Sequence, residues 1–304
     1  MLFMSMNMPY LAVFSLIAGL YHLINHAIFK GLLFLCAGSV YKATGTRDIE
    51  KLGGLIKRMP QTAVYFLLGA MAISALPPLN GFVSEWLTLQ AFFLGAFNST
   101  GGAKLFLGIC AAMLALTSGL AVACFVKAFG VTFLAQPRSH YALGAKEVSL
   151  SMRAGMFLLA LLTVIFGLGA SLIIKLLAKV AAAATNIDIA NMSFSLNNFT
   201  LSQQVANGVY ISVPILALVL VALGIIAFAV YRLSGREKPV IYNTWDCGYY
   251  KLGPRNEYTA TAFSKPFRIA FSFFLLPYRK TQKIRESFYH VLSKIHYCIF
   301  HNIF

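Results

Sequence analysis

The chain has few of the residues from which redox and hydrolytic centres are usually assembled. Its five cysteines, Cys36, Cys110, Cys124, Cys247 and Cys298, are scattered over 304 residues, and no CxxC pair occurs. That spacing argues against iron–sulfur ligation, a zinc site or a disulfide framework. No glycine-rich loop for a dinucleotide or a phosphate follows a strand pattern, which removes the usual nucleotide-binding signatures. Charge of either sign is sparse at 11%, and acids are rarer than bases: nine Asp and Glu against 25 Lys and Arg, a formal net charge of +16. No basic segment precedes the first apolar run, so the N-terminus does not read as a secretory signal peptide.

What the chain does have is apolar length. Hydrophobic residues make up 59% of it and the mean hydropathy is +0.74. This composition predicts an all-α polytopic membrane helix bundle, not a soluble domain with a buried core. In such a protein the basic excess reads as the positive-inside bias and not as a nucleic-acid surface.

One stretch carries chemistry as well as hydrophobicity. Within the apolar run from about Pro9 to Tyr41 stand His22, His26 and Lys30, spaced four and four. At about 100° per residue each step drifts only ~40°, so the three share a helix face and climb roughly 12 Å along it. Ionisable groups at membrane depth normally face protein or a wet cavity, and this trio is a short ladder of proton-exchanging groups. Snorkelling is the competing account of Lys30, but the residues after it are mostly apolar. A metal site is disfavoured, because the Glu of HExxH is missing and Lys30 would repel a cation.

Further along, a loop to Pro60 carries Lys42, Arg47, Lys51, Lys57 and Arg58 against Asp48 and Glu50. The second span, Thr62 to about Phe97, is interrupted at ISALPPLNGF, residues 73–82. Pro77 and Pro78 remove two donors and Asn80-Gly81 favours a turn, so a helix break is expected there. Such a break survives at membrane depth only inside protein or beside water. Glu85 follows it directly, either as a proton-carrying carboxylate or as a group held by the free N–H groups of the second half-helix. The third span, about Lys104 to Leu134, contains Thr117-Ser118-Gly119, a second expected unwinding point at Gly119, and then Lys127. The fourth runs from about Ala154 to Ile174 and the fifth from Val209 to about Tyr231. Five spans are thus expected, two of them discontinuous. Residues 1–235 form the transmembrane domain and 236–304 a basic cytoplasmic or peripheral extension.

Loop charge sets an expected topology. Segments 42–60, 136–153 and the tail after 231 are basic, whereas 98–104 and 181–207 are poor in charge. The alternation places the basic segments and the C-terminus in the cytoplasm. Within the tail, 244–266 is expected to dock on a partner through Trp245, Asp246, Cys247 and Arg255. Residues 279–296 have Ile284, Phe288, Val291, Leu292 and Ile295 at helical spacing, as in a basic helix lying on anionic lipid.

HLINHAIFKGLLFLCAGSV (22–40), TGTRDIEKLGGLIKRMP (44–60) and ALPPLNGFVSEW (75–86) resemble the antiporter-like membrane subunits of complex I, of Mrp cation/proton antiporters and of membrane-bound [NiFe]-hydrogenases. NTWDCGYYKLGPRNEYTATAFSKPFR (243–268) is similar to the extension of the hydrogenase-4 component B and formate hydrogenlyase subunit 3 branch. The resemblance implies a cofactor-free, non-catalytic, ion-translocating subunit of an oxidoreductase complex in the inner membrane. His22, His26 and Lys30 would lie on its hydrophilic axis, and Lys127 would exchange protons with one side. It implies other membrane subunits and a soluble [NiFe]/iron–sulfur arm as partners. An Mrp-type antiporter subunit or an NADH-quinone oxidoreductase subunit is the alternative. The family has about fourteen core helices, so this chain is expected to be a C-terminal part of such a protein.

Overall fold

The ladder sequence folds as a single helix, α1 (Pro9–Thr44), with proline at its first turn and Gly45 at its end. Gly45 takes a left-handed φ of 68° and donates its N–H to Tyr41 O at 2.7 Å, the usual way to stop a helix. At 36 residues α1 is ~54 Å long, more than enough to cross a hydrocarbon core even when tilted. The computed structural model describes residues 2–187, 200–201, 211–234, 247–248, 252–276, 278–286 and 290–298. The chain forms two compact units, Met1–Arg255 and Asn256–Phe304.

In the first unit α1 is followed by α2 (Pro60–Ile73), α3 (Asn80–Asn98), α4 (Gly101–Phe133), α5 (Leu150–Leu168), α6 (Ala170–Thr185) and α7 (Val213–Leu233). Four of these, α1, α4, α5 and α7, are long and apolar enough to cross a membrane. The expected second span is present as the pair α2 and α3, divided where Pro77 and Pro78 stand. Gly81 is required at this division: a Cβ there would lie 1.8 Å from Ala72 O, so only glycine lets the start of α3 sit against the end of α2.

α1 is the axis of the packing. Its first half (Val13, Phe14, Ile17, Tyr21) is buried with Val83 and Leu87 of α3, Leu107 of α4 and Ile174 of α6. Its second half (Leu32, Cys36, Val40) is buried with Phe66 of α2, Phe133 of α4 and Met156 of α5. Phe66 and Phe133 meet at 5.3 Å between ring centroids. With lipid tails as apolar as these side chains, it is close packing rather than water exclusion that holds such contacts.

Two expectations about this unit are corrected. Gly119 is not a break, because α4 is continuous from Gly101 to Phe133. Thr117 donates its hydroxyl to Leu114 O at 2.7 Å, and Ser118 Oγ lies 3.0 Å from the same oxygen, so neither residue opens the helix it sits in. A single glycine costs a helix only ~1 kcal/mol, less than opening backbone hydrogen bonds in lipid. The expected fourth span, 154–174, is two helices that meet at Gly169. α6 is amphipathic, with Ile174, Leu177, Ala178 and Ala181 buried and Lys175 and Lys179 exposed.

The two basic loops lock together at one end of the unit. Gly54 N–H donates to Leu134 O at 2.7 Å, Arg138 Nη1 donates to Leu52 O and Val131 O at 2.9 and 3.0 Å, and Ser139 Oγ donates to Lys51 O at 2.6 Å. Gly53, at φ 134°, lies so close to this loop that a Cβ would stand 2.4 Å from Gln136 O. Glu147 closes the same end over the start of α2. Its carboxylate accepts from Gln61 N at 3.0 Å, from Thr62 N at 3.4 Å and from Thr62 Oγ1 at 2.5 Å. These are donors that the first turn of a helix otherwise leaves open.

The second unit contains α8 (Ala260–Ala270), capped by Thr259 Oγ1, which accepts from Ala262 N at 3.3 Å. It also corrects the reading of 279–296 as a surface helix: Tyr278–Glu286 pairs antiparallel with His290–Cys298. The residues at helical spacing include β-branched Ile284, Val291 and Ile295, which a strand accommodates as well. The register sets Arg279 opposite Tyr297, Lys280 opposite His296, Lys283 opposite Ser293 and Arg285 opposite Val291, so no Lys or Arg faces another.

Candidate functional site

The polar residues of the membrane region converge where α1 passes the start of α3. Asn25 and Asn80 are fully buried and bonded to each other twice. Asn25 Nδ2 donates to Asn80 O at 3.2 Å, and Asn80 Nδ2 donates to Asn25 Oδ1 at 3.1 Å. Half-buried His22, one turn before Asn25, holds its Nδ1 3.0 Å from Ser84 Oγ. Ser84 is fully buried and in the first turns of α3. Its neighbour Glu85 points the other way and accepts a hydrogen bond from Ser118 of α4. Consecutive residues of α3 thus connect the ladder helix on one side to α4 on the other. Tyr21, also fully buried, donates its hydroxyl to Phe166 O of α5.

The rest of the ladder continues along α1. The rings of His22 and His26 are 6.0 Å apart, and Phe29 stands edge-on to both at 6.4 and 5.4 Å. His26 is exposed in this chain. Lys30 is half-buried with Nζ 5.9 Å above the ring of Phe34, a cation–π contact. Lys127 is half-buried on α4. Nine residues separate it from Ser118, so at about 100° per residue the two project from opposite sides of the helix. Pro77, Pro78 and Gly81 form the division between α2 and α3, and Gly119 does not take part in one. In the tail, Cys247 is an exposed turn residue at φ 51°, and Arg255 lies in the short turn Pro254–Asn256. Trp245, Asp246 and the Arg255 side chain lie outside the described residues.

Asn25, Asn80, Ser84 and Ser118 were not among the site residues expected from sequence. Asn25 carried a usable signal: it is a polar residue in an apolar helix, three positions after His22 and therefore on the same face. Ser84 and Ser118 carried none, because hydroxyls in membrane helices usually bond back into their own helix, as Thr117 does to Leu114 O.

A divided helix beside a continuous one, with amides, a histidine and a carboxylate at the division, defines a class of protein: apolar helix bundles with a polar site at a broken helix. Residues 1–114 match the NADH:quinone oxidoreductase/Mrp antiporter, TM family, and this part of the chain belongs to that family. It is 40% identical to hydrogenase-4 component B of Escherichia coli (strain K12) over 278 residues, 88% of this chain and 40% of that protein. It is 38% identical to formate hydrogenlyase subunit 3 of the same organism over 268 residues, 88% of this chain and 41% of that protein. Its fold is similar to a chain in the membrane-bound sulfane sulfur reductase, an archaeal respiratory membrane complex. There the TM-score is 0.68 at 26% identity, over 86% of this chain and 40% of that one. The chain therefore spans about two fifths of the length of these relatives.

Proposed function

We propose that the chain carries part of the proton path of a subunit in a complex-I-like oxidoreductase of the membrane-bound hydrogenase type. The observation that carries this reading is the polar line His22···Ser84–Glu85···Ser118, which crosses three helices at the division between α2 and α3. In an apolar bundle such groups are retained where protons pass. His22, His26 and Lys30 extend the line along α1, and no carboxylate ion-pairs with Lys30 among the described residues. Lys127 is the exchange point toward one side of the membrane. Redox chemistry belongs to partner subunits, a soluble [NiFe]/iron–sulfur arm held through other membrane subunits, and this chain needs no cofactor of its own. The similarity to hydrogenase-4 component B and formate hydrogenlyase subunit 3 over 88% of the chain supports this branch over an Mrp-type antiporter.

The protein lies in the inner membrane with its basic loops and C-terminus in the cytoplasm. The hydrogen bonds between 51–54 and 131–139 support placing both loops on one side. Residues 236–304 form the peripheral extension, which docks on a partner around Trp245, Asp246, Cys247 and Arg255 and meets anionic lipid. The test is Lys30→Ala in the assembled complex in membrane vesicles. Coupled proton transfer is expected to fall by about 100-fold, the lower end of what a positioned proton-transfer group contributes, while the complex still assembles. Unchanged pumping would refute the assignment.

A further inference from the structure

The hydrogen bonds at the start of α3 bear on which nitrogen of His22 handles the proton. Ser84 Oγ has two neighbours: Gly81 O at 2.9 Å and His22 Nδ1 at 3.0 Å. The Ser84 hydroxyl donates to Gly81 O, and a carbonyl oxygen has no proton to give back. With its proton so used, the hydroxyl is left as an acceptor for an N–H at His22 Nδ1. The same holds when the ring is cationic, since both ring nitrogens then carry protons. In this arrangement Nδ1–H is occupied in either charge state.

We propose that Ser84 is a positioning residue that holds His22 as the Nδ1–H tautomer, so that proton exchange at this histidine runs through Nε2 alone. The device depends on the helix division. Ser84 lies one turn after Asn80, whose two bonds to Asn25 register the start of α3 against α1, three residues from His22. Because Ser84 is fully buried, solvent does not offer His22 a competing acceptor on this side. The remaining ring neighbours are Phe29, edge-on at 6.4 Å, and His26 at 6.0 Å. Of these only His26 can exchange a proton. A histidine with one nitrogen pinned passes a proton only when a donor or a water reaches the other, which makes the orientation of Nε2 the control point of this part of the path.

The proposal rests on the reading of His22 as a proton-exchanging group, and the experiment separates the two. The full chain, labelled with 15N-histidine, is placed in lipid nanodiscs, and the ring nitrogens are read by magnetic resonance, with His22→Gln identifying the His22 signals. Neutral His22 is expected to show a protonated Nδ1 and a bare Nε2. Ser84→Ala is expected to lose that preference and populate both tautomers, and Ser84→Thr, which keeps the hydroxyl, to restore it. A wild-type spectrum with a bare Nδ1 overturns the proposal, as does an unchanged tautomer in Ser84→Ala. The wild-type spectrum decides even where a variant fails to fold. Proton transfer that survives His22→Gln would sink the proton-exchange role, yet an Nδ1–H spectrum would still uphold the tautomer assignment.

Discussion

The Asn25–Asn80 pair makes an asymmetric prediction that two near-identical substitutions can test. Both residues are fully buried asparagines, so replacing either by alanine removes the same volume and the cavity costs are closely matched. The hydrogen bonds are not matched. Asn25→Ala removes both bonds across the interface and leaves the Asn80 amide and the Asn80 main-chain oxygen without this partner. Asn80→Ala removes the bond from Asn80 Nδ2 and strands Asn25 Oδ1, while Asn25 Nδ2 still reaches the main-chain oxygen. It also deletes Asn80 Oδ1, a buried oxygen that has no partner. Stranding a buried polar group costs about 1–3 kcal/mol in water-soluble proteins, and cross-helix bonds in membranes average about 0.6 kcal/mol each. Asn25→Ala should therefore destabilise by about 1–4 kcal/mol, whereas Asn80→Ala, with one bond lost and the stranded Asn25 Oδ1 offset by the orphan it removes, should cost about 1 kcal/mol. The measurement is an SDS titration of the detergent-solubilised full chain, followed by circular dichroism and tryptophan fluorescence. Equal costs, or a larger cost for Asn80→Ala, would refute the hydrogen-bond assignment.

Two other outcomes follow from the basic end of the bundle. Glu147→Gln weakens a charged cap on α2 and Glu147→Ala removes it, so thermal stability should fall in that order, by up to about 2 kcal/mol for alanine; identical melting of both variants and wild type would show that the carboxylate is dispensable. Single cysteines at Ile56 and Tyr141, exposed residues on the two interlocked loops, should react with a membrane-impermeant thiol reagent from the same side, the cytoplasm. Labelling from opposite sides would contradict the loop packing, and labelling of both from outside would invert the orientation.

Much of the fold was legible because its signals are local. Apolar length gave the spans, and the dipeptides Pro77-Pro78 and Asn80-Gly81 gave the division of the second span, since missing donors and turn preference act within a few residues. The ladder was legible because a four-residue spacing projects onto one helix face. The same logic failed at Gly119, where local weakness was outweighed by the cost of opening backbone in lipid. It failed again at Gly169, where one apolar stretch holds two helices, and in the tail, where the apolar residues suit either a strand or a helix. The site itself was half legible. Glu85 and His22 stood out as ionisable groups in apolar runs, but their partners Ser118 and Ser84 are 33 and 62 residues away and ordinary in composition. Only the packing of α3 between α1 and α4 brings them together.

The interlocked loops bear on how the bundle can breathe. Arg138, Ser139, Gly54 and Glu147 tie the loop after α1, the start of α2 and the end of α4 into one clasp. Three helices fastened at one rim behave like the tines of a fork, rigid at the handle and free to splay at the far ends. The divided helix stands in the middle of that fork, so any separation of the tines pulls first on the contacts between α3 and its neighbours. Any opening around His22 and Glu85 is then expected from the rim opposite the clasp, with the clasped rim staying shut.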